Sequence, residues 1–134
     1  MASASVAAAL YSRMNDDATL GAIVTGIYRN VAPKSATYPF VLMQFIDSND
    51  EYTLTQRVRS RQRWQVKVIA KGYSAVNAET ALSRIDVLLT DQALSVSGKT
   101  NWYIRRDSQF EYAQMGEFGV VYQHVGGDWI IEMA

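Results

Sequence analysis

The 134 residues suit a single domain, and 49% hydrophobic against 19% charged residues gives enough apolar material for a packed interior. Thirteen basic residues balance thirteen acidic ones, which excludes the long-range positive field of a general nucleic-acid coat and leaves only local charged surfaces. The chain has no cysteine, so disulfides and thiolate metal sites are excluded and a reducing compartment is the natural setting.

The opening "MASASVAAAL" has no basic n-region, and polar or charged residues follow from Ser12 to Asp17, so it does not read as a signal peptide. The longest apolar runs fall short of the ~20 residues a bilayer span needs. Val6, Ala9, Leu10 and Met14 recur at helical spacing, which predicts a short amphipathic helix over 4–14 with Ser3 or Ser5 as its N-cap. "DDATLGAIVTG" predicts a second helical piece, capped by Asp16 or Asp17 and stopped by Gly26. Pro33 and Pro39 punctuate the next stretch. The unbroken apolar run from Phe40 to Ile46 then predicts a strand over 39–46, buried on both faces.

Asp47, Asp50 and Glu51 come next, followed by Arg57, Arg59, Arg61 and Arg63 at every second position. Residues 47–60 read as a projecting charged hairpin loop whose descending arm becomes the strand "RQRWQVKVIA". Trp64, Val66, Val68 and Ala70 alternate there with Gln65, Lys67 and Ile69, the period of a half-buried strand. The same register places the four arginines on the face of Gln65 and Lys67, away from the core. Ala78, Ala81, Leu82, Ile85, Leu88 and Leu89 form one helical stripe within 74–91, with Ser74 as cap. "WYIRRDSQFEY" and "GVVYQHV…DWIIEM" predict two more strands, with Gly126 and Gly127 marking a bulge. The sum is an α+β fold: a mainly antiparallel four-stranded sheet with helices packed on one face.

Chemical motifs are sparse. Gly98–Thr100 spells the tail of a phosphate loop, but Ala93 stands where its first glycine belongs, and the segment joins helix to strand rather than strand to helix. Asp47, Asn49 and Glu51 have calcium-loop spacing, yet Tyr52 and Val58 occupy the positions of the required glycine and bidentate glutamate. His124 is the only histidine and reads as a half-exposed strand residue. Glu111 and Glu117 flank a loop and read as solvated. No catalytic, metal or cofactor-binding residue is assigned. The arginine series admits three readings. It is a solvated edge that discourages stray strand pairing, a nucleic-acid grip with Trp64, Tyr52 and Tyr103 as stacking partners, or an assembly interface. In the last, the acidic arm of one copy (Asp47, Asp50, Glu51) meets the basic arm of the next (Arg57, Arg59, Arg61, Arg63).

The stretches "ALYSRMNDDATLGAIVTGIYRNVAPKSATYPFVLMQFI" and "RWQVKVIAKGYSAVNAETALSRIDVLL" resemble the tail-completion or tail-terminator proteins of tailed bacteriophages. The shared features are an N-terminal helix, the step Gly26, Ile27, Tyr28, then Ala32–Pro33, and Pro39 leading an aromatic residue into a buried strand. The Trp64-led strand and an Ala-rich helix ending in Leu88–Leu89 complete a match over most of residues 8–92. The charged segment 47–60 and the Gly126–Gly127 pair lie outside that pattern. The resemblance implies a virion structural protein with no catalytic residues and no cofactor. It implies a ring, a hexamer, that sits on the finished tail tube, halts its polymerisation and offers a surface to the head connector. The implied partners are other copies of the chain, the tail tube protein, the head–tail connector protein and DNA passing through the lumen, with no membrane. The implied place is the tail or neck of the virion, assembled in the host cytoplasm. Within the class the alternative is a head-completion or connector ring protein of the same joint. Outside it, the alternative is a nucleic-acid-binding module using Arg57 to Arg63.

Overall fold

The computed structural model describes residues 3–96, 98 and 100–134, with only the backbone described for Ser3 and Trp102. The expected cap Ser3 and the lysine of the GKT segment, Lys99, therefore lie outside the described side chains. Helix α1 (Ser3–Asn15) buries Val6, Ala7, Leu10 and Met14 along one stripe. Helix α2 (Ala18–Gly21) is capped by Asp17, whose carboxylate accepts from the Leu20 backbone N–H at 2.8 Å. It stops at Gly21, short of the expected Gly26, because a single turn suffices to bury Leu20. Helix α3 (Val76–Leu89) buries all six residues of its predicted stripe. Ser74 sits just before it and accepts from the Val76 N–H at 3.3 Å, while the N-cap position itself belongs to Ala75.

Asp17 also ties α2 to α3, accepting from Arg84 Nε at 2.8 Å and Arg84 Nη2 at 2.7 Å. Chiefly through these bonds, the Arg84 guanidinium holds the Asp17 carboxyl down at about 2. Removing a cap and a bidentate ion pair together sets the expected cost of Asp17→Ala at about 1–2 kcal/mol. A lower denaturation midpoint in urea with an unchanged slope checks it.

The sheet has five strands rather than the four expected, and it is mixed rather than wholly antiparallel. In order across the sheet they are β1 (Ile27–Arg29), β2 (Phe40–Tyr52), β3 (Arg57–Lys71), β5 (Val121–Met133) and β4 (Asn101–Met115). β1 runs parallel to β2, and every other pairing is antiparallel. A three-residue strand between Gly26 and Pro33 is too short to show any periodicity. It is fastened to β2 from Ile27–Val41 to Arg29–Met43.

Most of segment 47–60 is paired strand, where a loop was expected. Asp47 sits opposite Arg63, Asn49 opposite Arg61 and Glu51 opposite Arg59, which leaves only residues 53–56 as the turn. Two bulges interrupt the pairing, one at Phe45/Asp47 with Ile46 as the extra residue of β2 and one at Glu51/Tyr52 with Val58 as the extra residue of β3. The glycine pair behaves in the opposite way. Gly126 and Gly127 continue β5 without a register break on either side, so the expected bulge is absent. A Cβ on Gly126 would lie 2.5 Å from Lys67 Cβ, 2.7 Å from Phe110 Cζ and 2.8 Å from the Val66 carbonyl oxygen. Glycine is needed there for close approach between strands and not for a turn.

All helical core residues pack on one face of the sheet, against Val41, Met43, Trp64, Val66, Val68, Val125, Trp129 and Ile131. The predicted β3 register holds from Arg59 onward, since Trp64, Val66 and Val68 are fully buried while Arg59, Arg61 and Arg63 lie on the other face; the bulge at Glu51/Tyr52 puts Arg57 instead on the side of Tyr52 and Asp50. That helix-free face is not entirely polar. Phe40, Leu42 and Ile69 form a second small cluster on it with Tyr28 and Tyr122.

Candidate assembly interface

On the helix-free face the sheet register brings acids from three strands, β2, β4 and β5, to Arg59, Arg61 and Arg63. Arg63 Nη1 lies 2.7 Å from Asp107 Oδ2 and 3.6 Å from Asp128 Oδ2. Arg61 Nη2 donates to Glu132 Oε2 at 3.2 Å, and Arg59 pairs with both Glu132 and Glu51. Arg57 lies 3.6 Å from Asp50. The acidic arm therefore meets the basic arm within its own hairpin, and all four arginines have partners in the same chain.

Glu132 is the hub, 1% exposed and held by Arg59, Arg61 and the Tyr103 hydroxyl. Burial alone would raise its pKa, but the hydrogen bonds from Tyr103, Arg59 and Arg61 outweigh it and hold the carboxyl below the usual range. Arg59 and Arg63 move upward for the complementary reason, chiefly their bonds to Glu132 and Asp107. Sequence reasoning missed Glu132, Asp107 and Asp128 because they are distant along the chain and become neighbours only through the order β3, β5, β4. The one available signal was parity, since Asp128, Ile130 and Glu132 alternate onto one face.

A charge-matched face is a poor grip for polyphosphate. The three proposed stacking residues are also dispersed. Trp64 is buried on the opposite face, Tyr103 bonds Glu132, and Tyr52 stands at the hairpin tip. Duplex DNA is accordingly expected to run unshifted with the protein at ~0.1 M salt, and a shift that fades steeply as salt rises would contradict this.

His124 is buried, not half-exposed. It stacks on Tyr112 at 4.5 Å between ring centroids, and its Nε2 lies 2.9 Å from Gln114 Oε1. Burial first, and the Lys67 charge second, lower its pKa. Glu111 lies within β4 and Glu117 in a short turn after it, both exposed and in separate elements. Among the described residues no group of three His, Asp or Glu side chains is placed to hold a metal. A depression of about 980 Å3 runs along α1 and is floored by small residues. Its Arg13 and Asp17 are committed to bonds with Leu88, Gln92 and Arg84. Among the described residues, no helix is long and apolar enough to cross a membrane.

What the surface does offer is open strand border and apolar ends. β1 covers β2 only at Val41–Met43, so β2 is uncovered on that side from Gln44 to Tyr52. β4 is the opposite border, and its side chains from Arg105 to Met115 are exposed except for the half-covered Phe110. The β2–β3 and β4–β5 turns lie at opposite ends of the sheet. The first presents Tyr52, Leu54 and Val58, and the second presents Met115 and Phe118, with Leu54 and Phe118 wholly exposed. Open borders and apolar tips on a small domain describe a protein built to meet other chains.

Comparison with known proteins agrees. The family described as Tail completion protein gp17 matches residues 8–114, and the chain belongs to that family. It is a structural protein of the phage tail. A chain in the virion of a native gene transfer agent particle shares the fold at a TM-score of 0.73 with 20% identity, covering 93% of this chain and 92% of that one. A second solved structure superposes at a TM-score of 0.59 with 14% identity, covering 98% of this chain and 96% of the other. No curated protein matches it in sequence.

Proposed function

We propose that the protein caps the tail tube as a ring, stops tube polymerisation and joins the tail to the head connector. The observation that carries this is the pair of open sheet borders on opposite sides of the domain. A subunit with two different sticky edges makes a heterologous contact, and such a contact closes into a ring when its rotation allows. We take the ring to be a hexamer, as the family resemblance implies.

In this reading the charged hairpin of Asp47, Asp50, Glu51, Arg57, Arg59, Arg61 and Arg63 belongs to the interface. The intrachain ion pairs stiffen it, so that its outer border and its tip with Tyr52 and Leu54 reach neighbours already ordered. The apolar tips at the two ends of the sheet suit partners above and below the ring, the tube on one side and the connector on the other. DNA crossing the lumen would pass a charge-balanced wall that does not retain it. The role is one of contact and shape, with no reaction and no cofactor.

Electron microscopy of particles lacking the protein tests the reading. Overlong tails, or tails of normal composition that fail to join heads, are expected. Leaking heads beside normal, finished tails would instead assign the protein to the head-completion side of the joint.

A further inference from the structure

His124, the only histidine of the chain, is 6% exposed on the helix-free face, level with Ile69 of β3 and Tyr112 of β4. The Tyr112 ring lies almost parallel to the imidazole, at an interplanar angle of 8°, and Phe110 stacks on Tyr112 in turn at 6.0 Å between centroids. The His124 Nε2 meets the Gln114 side-chain oxygen, while Nδ1 is buried with no hydrogen-bond partner among the described residues. Phe110, Tyr112 and Gln114 all belong to β4. The imidazole therefore fastens the end of the border strand to β5.

This setting fits a neutral ring. An imidazolium donates from both nitrogens, and only one acceptor is in reach. The charged groups facing it from β3 are cations, since Lys67 and Lys71 stand diagonally on either side of Ile69 and Lys67 Nζ lies 3.5 Å from the Tyr112 hydroxyl. From β4 and its own strand it meets Tyr112 and Tyr122, with Tyr38 packed against Tyr122. Glu111 is paired with Val125 and points to the opposite face, and Glu117 sits in the turn. Asp128, the next acid along this face of β5, is engaged with Arg63 and Ser108. Among the described residues, then, no carboxylate is placed to balance a proton on His124. A buried charge without a partner either gives up its proton or leaves for water.

The end of β4 can yield without the rest of the sheet. It is the border strand, bonded to β5 alone, and its side chains near the turn are mostly exposed. Thinly covered segments of this kind open locally at little cost. We propose that His124 is a pH-sensitive latch: its neutral ring clamps the end of the β4–β5 hairpin, and on protonation it leaves the clamp and frees that end together with the exposed Met115 and Phe118 of the turn. Mild acid then unseats one of the two apolar tips while the helices and the β2–β3 pair hold. Burial lowers the folded pKa of His124 below its ordinary 6.5, so the opened hairpin takes up the proton more readily than the closed one. The latch is complete above pH 6.5 and weakens as pH falls from there toward the folded value, by at most ~10-fold in the opening equilibrium per pH unit. Glu132, near the other end of β5, weakens only below 4.5 and acts in a separate window.

Hydrogen exchange read by mass spectrometry at about pH 7.5 and pH 5.5, corrected for the intrinsic pH dependence of amide exchange, tests the latch. In the wild type, protection over residues 110–124 is expected to fall severalfold, up to ~10-fold, at the lower pH, with peptides from α3 and the β2–β3 pair unchanged. The H124Q protein carries a side chain that does not titrate, and its hairpin should show no such fall. Because the chain has one histidine, its Cε1–H resonance reports protonation in the unaltered protein, and it should shift together with the loss of protection. Unchanged protection in the wild type, an equal loss in H124Q, a loss spread over the whole sheet, or a resonance that titrates while the hairpin stays protected each overturns the proposal.

Discussion

Replacing Glu132 with glutamine is expected to lower the unfolding free energy by about 2–3 kcal/mol at neutral pH. The carboxylate is 1% exposed and is the shared acceptor for Arg59, Arg61 and Tyr103, so the amide keeps the volume but removes the countercharge. The loss stays below the ~3–5 kcal/mol of severing a fully buried pair, because the Arg59 and Arg61 side chains, 37% and 46% exposed, retain water. For a chain of this size the thermal midpoint should fall by roughly 10 °C. The pH dependence separates charge from packing. Glu132 has its folded pKa lowered below the usual 4.5, so its contribution is complete above that pH and is lost as pH falls through the folded value. Glutamine does not titrate, so the gap between variant and wild type should narrow in acid. A gap of equal size at pH 3 and pH 7 would show that shape and not charge is responsible.

Gly126→Val is the second large effect, expected at about 3 kcal/mol or more. A Cβ at this position meets the Phe110 ring, which can swing aside, but also Lys67 Cβ at 2.5 Å and the Val66 carbonyl oxygen at 2.8 Å. Those two cannot withdraw without parting β3 from β5, the central pair of the sheet. Gly21→Ala is the control. Nothing lies within 4 Å of its added Cβ, and alanine suits the end of a helix, so stability should change by less than ~1 kcal/mol. Urea denaturation of both proteins checks the pair, and a Gly126→Val protein as stable as wild type would mean that β5 is interrupted there after all.

These two residues also mark where sequence reading succeeded and where it stopped. The alternation from Arg59 to Ala70 assigned every β3 side chain to its correct face, Ile69 included, which is buried on the arginine face with Phe40 and Leu42; only Arg57 departs, because the bulge at Val58 turns it to the side of Tyr52. The α3 stripe was equally legible, because a buried helix or strand face writes its period into the chain. What stayed hidden depended on pairing between distant segments. β1 is too short for a period, and Asp47–Glu51 are polar because they extend beyond the core, so a paired strand there looks like a loop. Gly126 and Gly127 looked like a break because close neighbours that require them, Lys67 and Phe110 for Gly126 and the Ser108 carbonyl for Gly127, belong to other strands. The arginines were visible as a face, but their acids on β4 and β5 were not, and the open borders could be placed only once the strand order was known.

The domain's surface therefore serves contact with other chains, and its charged hairpin is largely satisfied before any partner arrives. The most direct test of the ring at the tail end is a count of copies per tail, by quantitative mass spectrometry of purified tails of differing length. A fixed small number, the same in short and long tails, is the expected result. A copy number that rises in proportion to tail length would place the protein along the tube wall, and its absence from finished tails would remove it from the joint altogether.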